Sequence, residues 1–199
     1  MLVFGHAGTA LGAAWLLNEV VFFRKPVVDV AGGDKPSSRW WPFARLGARL
    51  DIRLLLLASL LPDILDKPLG YILFPDAFGS GWLYGHTLLF PALFGVAGVV
   101  LYLKRRSVWS FTVAFGALIH LITDRVWLSP TVLWWPILGW GFPRGNPTGW
   151  VARYLRDLLS LPQDYLPEIL GLAIIMWLLI ELWRRRRFWK FIRYGRFSD

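Results

Sequence analysis

Residues 52–74 read IRLLLLASLLPDILDKPLGYILF, apolar at both ends, with Pro62, Asp63, Asp66, Lys67 and Pro68 crowded into the middle. A surface helix of a soluble domain spreads its polar residues along one stripe, turn after turn; here they fall in a single block. At about 1.5 Å per residue the stretch is long enough to cross the roughly 30 Å hydrocarbon core of a bilayer. It reads as a transmembrane helix interrupted partway. Polar backbone at that depth is tolerated only where protein or a water-filled cavity surrounds it, so the interruption calls for a bundle of helices around it.

The rest of the chain supports that class. Over 199 residues it is 56% hydrophobic and 17% aromatic, with a mean hydropathy of +0.47, too apolar for an ordinary soluble domain. Lysine and arginine outnumber aspartate and glutamate 22 to 13. The aromatics lie inside apolar runs and the arginines between or after them, which argues against the single basic, aromatic face of a nucleic-acid module. Cysteine is absent, so disulfides and cysteine-ligated zinc are excluded, and any metal must use histidine, carboxylate or water.

Working outward, residues 2–23 (LVFGHAGTALGAAWLLNEVVFF) read as a retained first span, without the basic start and small-residue cleavage site of a signal peptide. Further spans are expected at about 84–103, at about 108–127 and at about 167–183. Residues 131–142 (TVLWWPILGWGF) are too short to cross and read as a re-entrant or interfacial piece, and WVARYLRDLLS at 150–160 as an amphipathic segment. No internal repeat stands out. The fold class is therefore all-α: a polytopic membrane bundle of about five transmembrane helices. Residues 1–183 form one domain, and 184–199 a basic cytoplasmic tail.

Three basic clusters, at 24–53, at 104–106 and in the tail, all fall on the cytoplasmic side if the N-terminus is outside and the C-terminus inside. That topology carries the three histidines, His6, His86 and His120, to the non-cytoplasmic ends of three helices. Asp124 follows one turn after His120, and Asp63 and Asp66 lie from mid-membrane outward. Helices of alternating direction would scatter unrelated polar residues over both leaflets; these converge on one. His120 and Asp124, spaced i, i+4, share a helix face. Three histidines and three carboxylates on one side supply nitrogen and oxygen ligands for one or two borderline metals, zinc being the usual choice. The bland counterparts are a histidine bonded to a carboxylate, a helix-capping His86, a solvated His6, and helix punctuation at Pro62-Asp63 and Lys67-Pro68. Ionisable groups inside a membrane are costly and usually functional, which favours a metal site. A transporter or channel component and a structural scaffold remain open as rival classes.

Taken in order, GHAGTALGAA (5–14), LLPDILDKP (60–68), GHTLLF (85–90) and HLITDRVWLSPTVLWWP (120–136) resemble the membrane-bound metal-dependent hydrolase family. The motif order is similar to that of zinc-dependent phospholipases C. Carried onto this chain, the resemblance implies His6, Asp63, His86, His120 and Asp124 as metal ligands, with Asp124 bridging. Because no histidine follows His120, it implies one or two metals rather than three. The expected function is metal-assisted hydrolysis of a phosphoester in a lipid or isoprenoid-like substrate at the outer membrane boundary. Asp66 is the candidate general base or orienting residue, and Arg125 and Lys67 the candidate grips on phosphate oxygens.

Overall fold

The computed structural model describes residues 3–16 and 50–195, apart from 185 and 187. All regular structure among the described residues is helical: α1 (Val3–Leu16), α2 (Ile52–Pro68), α3 (Leu89–Arg105), α4 (Trp109–Thr123), α5 (Trp150–Ser160), α6 (Pro162–Arg184) and α7 (Phe188–Tyr194), with short 3-10 and π turns between them. The basic connection expected at 24–50 lies almost wholly outside the described residues.

α2 and α4 pack on each other at the centre, α1 lies against both, α3 flanks α4, and α6 covers the outside of α1. Small residues set these crossings. A Cβ added at Gly8 of α1 would meet the Gly171 Cα of α6 at 2.2 Å, and one added at Gly116 of α4 would meet the Ala58 Cβ of α2 at 2.7 Å. Only residues without bulk let the helix backbones come this close. α6 also caps α1 from the side: Glu168 Oε2 accepts from the Phe4 and Gly5 amides at 3.0 and 3.1 Å, satisfying two of the donors every helix start leaves open.

The interruption expected over Pro62–Pro68 comes only at the end of that block. α2 runs through Pro62, Asp63 and Asp66 to Pro68 and widens only afterwards, into a π turn over Leu69–Leu73. Proline removes one backbone donor, and the neighbouring helices hold the backbone in place around the gap. His86, expected near the start of a span, precedes its helix and sits in the 3-10 turn Tyr84–His86. Residues 130–133 form a single helical turn. The amphipathic segment at 150–160 coincides with α5.

α6 is long and apolar enough to cross a membrane by length and composition. The apolar α4 has 15 residues, about 22 Å of helix, so five full spans are not established among the described residues. The molecule nevertheless buries polar groups and exposes apolar ones. His6, Ser59, Asp66, His86, Thr112 and His120 are fully buried, while Leu93, Val96, Leu103, Ile169, Leu170 and Trp183 are exposed.

Candidate metal centre

Four separate parts of the chain meet at the buried polar centre: His6 from α1, Asp63 from α2, His86 from the 3-10 turn, and His120 with Asp124 from the end of α4. Donor atoms of Asp63, His86, His120 and Asp124 all lie within 4.8 Å of one another. His120 Nε2 is 3.2 Å from His86 Nε2. The Asp124 Oδ2 lies 3.5 Å from His86 Nε2 and 3.6 Å from His120 Nε2, and Asp63 Oδ1 lies 3.6 and 3.8 Å from the same two nitrogens.

The hydrogen bonds on the far side of each ring fix which nitrogen carries the proton. His120 Nδ1 donates to the Ser59 carbonyl at 2.6 Å, and a carbonyl can only accept. His86 Nδ1 donates to Asp66 Oδ2 at 2.7 Å. Asp66 also accepts the amides of Leu83, Gly85 and His86, so it serves as an acceptor throughout. The Thr123 hydroxyl gives its proton to the His120 carbonyl at 2.9 Å and accepts from His6 Nδ1 at 2.8 Å. In their neutral forms all three rings therefore turn an Nε2 lone pair inward.

That arrangement is costly without a cation. With both rings neutral, two Nε2 lone pairs 3.2 Å apart repel each other, and a proton or a cation between them relieves the contact. Asp63 Oδ1 and His6 Nε2 are buried with no hydrogen-bond partner, and such groups cost about 1–3 kcal/mol each. His6 Nε2 does lie 3.1 Å from Asp124 Oδ1, close enough for both atoms to face a common ion. A tetrahedral ion with bonds of 2.0–2.1 Å sets its donor atoms about 3.3–3.4 Å apart; the separations that involve a histidine, 3.2–3.8 Å, bracket that value, and all four donors lie within 4.8 Å. The residues present fit a bound metal ion, and the group can hold one.

A cavity of about 450 Å³ opens beside the centre, lined among others by Lys67, Tyr71, Trp82, Asp124, Arg125 and Tyr154. Lys67 Nζ donates to Asp63 Oδ2 at 2.6 Å and to the Tyr154 hydroxyl at 3.2 Å. It thus fixes the carboxylate whose other oxygen faces the histidines. Burial pushes the Tyr154 phenol up to about 12, so it stays a neutral hydroxyl throughout the physiological range. Arg125 follows Asp124 in the left-handed region at φ 54°, which swings its exposed side chain to the cavity rather than the ligand cluster.

All eight residues singled out by sequence thus lie at the centre or along its wall. His6, Asp63, His86, His120 and Asp124 supply its inward-facing atoms, Asp66 stands behind His86, and Lys67 and Arg125 line the cavity. Four contributors escaped the sequence reading. Thr123 was visible inside HLITD as a small polar residue one turn after His120. The Ser59 carbonyl, Tyr154 and the close-packed Gly116 carry no local signal, because each acts through a contact between distant segments. No protein-family model, curated protein or solved structure matches this chain.

Proposed function

We propose that this chain is a membrane-embedded, metal-dependent hydrolase that cleaves a phosphoester of a lipid or isoprenoid-like amphiphile at the non-cytoplasmic membrane boundary. The observation that carries the reading is the convergence of two histidine Nε2 atoms 3.2 Å apart and two carboxylates within 4.8 Å of one another, beside a cavity. Asp63, His86, His120 and Asp124 would hold a divalent ion, zinc by the nature of the donors. His6 and the Asp124 Oδ1 supply donors on the far side of the same carboxylate, where a second ion would make Asp124 a bridge.

Bound there, a divalent cation supplies Lewis acidity, polarising a phosphoryl oxygen and lowering the pKa of water. The chain's own groups do the rest. Arg125 offers a planar, permanently charged fork to phosphate oxygens at the cavity wall. Lys67 balances the charge of Asp63 and adds a second positive group there. Asp66 holds the His86 ring in one tautomer, and its four accepted hydrogen bonds suit it to orientation rather than to proton abstraction. Tyr71 and Trp82 give the cavity apolar walls for the part of the substrate next to the head group.

Metal analysis of the purified protein tests this directly. Expected are stoichiometric zinc or a similar ion, its loss in the H120A/D124A double variant, and chelator-sensitive release of phosphate or a phosphorylated head group from lipid substrates. Absence of metal from the unaltered protein sinks the hydrolase reading in favour of a scaffold. Metal-dependent ion flux in liposomes without turnover replaces it with a transporter.

A further inference from the structure

The helix α5 divides into three faces. At about 100° per residue, Trp150, Arg153, Tyr154, Asp157 and Leu158 form one sector, and all of them line the cavity beside the metal centre. Roughly 130° further round lies a second sector of Val151, Leu155 and Leu159, which are 50%, 51% and 80% exposed. Ala152, Arg156 and Ser160, all exposed, make the third. One residue, Leu161, separates α5 from Pro162, where α6 begins, and α6 is the helix long and apolar enough to cross a membrane.

We propose that α5 is an interfacial helix: Val151, Leu155 and Leu159 sit in the boundary between head groups and acyl chains, while the opposite face walls the cavity. The proposal rests on the membrane-bound reading given above and deepens it, because the substrate's head group would then enter from the plane of the bilayer rather than from bulk water. Position supports a lipid occupant. A helix joined by a single residue to the end of a spanning helix lies at the membrane surface. A short amphipathic helix with a leucine stripe beside an arginine is the pattern that binds there. Three aliphatic side chains form a strip well short of the roughly 1,000 Å² that a specific protein interface buries, which argues against a second copy as the occupant. Arg156, on the neighbouring sector, is placed for anionic head groups.

The native chain contains no cysteine, so single cysteines can carry spin labels without prior stripping. Labels go at Val151, Leu155 and Leu159, at Ala152 and Arg156, and at the exposed α6 residues Ile169 and Ile180. The full chain is reconstituted in vesicles of phosphatidylcholine and phosphatidylglycerol. Collision with oxygen, which concentrates in the bilayer, is compared with collision with a water-soluble nickel chelate, and metal content is measured alongside to show that each variant keeps its centre. Expected is oxygen-dominated relaxation at 151, 155 and 159 and nickel-dominated relaxation at 152 and 156. Nickel-dominated relaxation at 155 and 159, with α6 still oxygen-dominated, overturns the proposal and leaves the membrane reading standing. Nickel-dominated relaxation at Ile169 and Ile180 as well removes both. Dipolar broadening between labels at 155 or 159 overturns it in favour of a second copy.

Discussion

Replacing Asp66 by asparagine keeps its shape and reverses half of its chemistry. The carboxylate accepts three backbone amides and His86 Nδ1, and an amide NH₂ turned toward any of those donors meets a proton it cannot accept. Under the proposed function, the Asp66→Asn variant is expected to bind a divalent ion about 10–100-fold more weakly, the usual loss when a residue behind a ligand is removed. Competition with a chromophoric chelator reads this, and an unchanged affinity would mean that the His86 tautomer is fixed elsewhere. Thr123→Val is expected to act more narrowly, loosening His6 while leaving the affinity of the four-ligand group unchanged. At this scale the sequence was legible wherever chemistry and spacing coincide. His120 and Asp124 share a helix face by arithmetic alone. What Asp66 does was not legible, because its partners are amides of a turn 17 to 20 residues away whose conformation no local pattern encodes.

Among the helices, the crossing of α2 and α4 sets the distance between His120 and the Ser59 carbonyl. Gly116 stands one turn before His120 on the same face, and a Cβ there would press on Ala58 Cβ at 2.7 Å and on the Ser59 amide at 3.0 Å. Gly116→Val is therefore expected to destabilise the protein by about 1–3 kcal/mol, the usual cost of overpacking, and, under the proposed function, to weaken metal binding with it. Gly95→Ala on α3 is the control: its added methyl meets nothing within 4 Å, so Tm should hold or rise. Thermal unfolding in detergent compares the two, and equal Tm values would show that the crossing does not position His120. Helix identity was largely readable from apolar runs, and the amphipathic segment expected around 150–160 coincides with α5. The interruption expected over residues 62–68 falls only at its last residue, Pro68, since proline weakens a helix by one hydrogen bond and tertiary packing carries the helix through Pro62. His86 lies in a turn rather than a helix for a related reason: the Asp66 carboxylate, from another element, takes up the amides of that turn.

Across the whole molecule, the beginning of α2 is tied to the far end of the chain. Asp51 caps α2 by accepting from the Arg53 and Leu54 amides. Arg53 grips the same carboxylate and also donates to the Ile192 and Arg193 carbonyls beyond α6, at 2.6 and 3.3 Å, and the Ile52 amide donates to the Gly195 carbonyl at 2.8 Å. The Arg53 hydrogen bond, helped by the two amides, holds the Asp51 carboxyl below its ordinary 3.8. An unfolded chain takes up that proton first, so the contribution is complete above 3.8 and is lost as pH falls through the lower folded value. Acidification is expected to release α7, seen as a loss of hydrogen-exchange protection over 188–194 after correction for intrinsic rates. Asp51→Asn should show reduced protection already at neutral pH, and a segment equally protected at both pH extremes would discount the tie. This link joins residues 139 and 140 positions apart and left no trace in the sequence beyond a capping aspartate.

The inward-facing donors are strung along the chain from residue 6 to residue 124. A chain still on the ribosome offers His6 and Asp63 long before His120 and Asp124 exist, and the set closes only once α4 has been made. Under the proposed function, acquisition of the ion is thus a late event in biogenesis. A cell short of metal would accumulate assembled but inactive protein, awaiting its ion, rather than fragments of an unfinished fold.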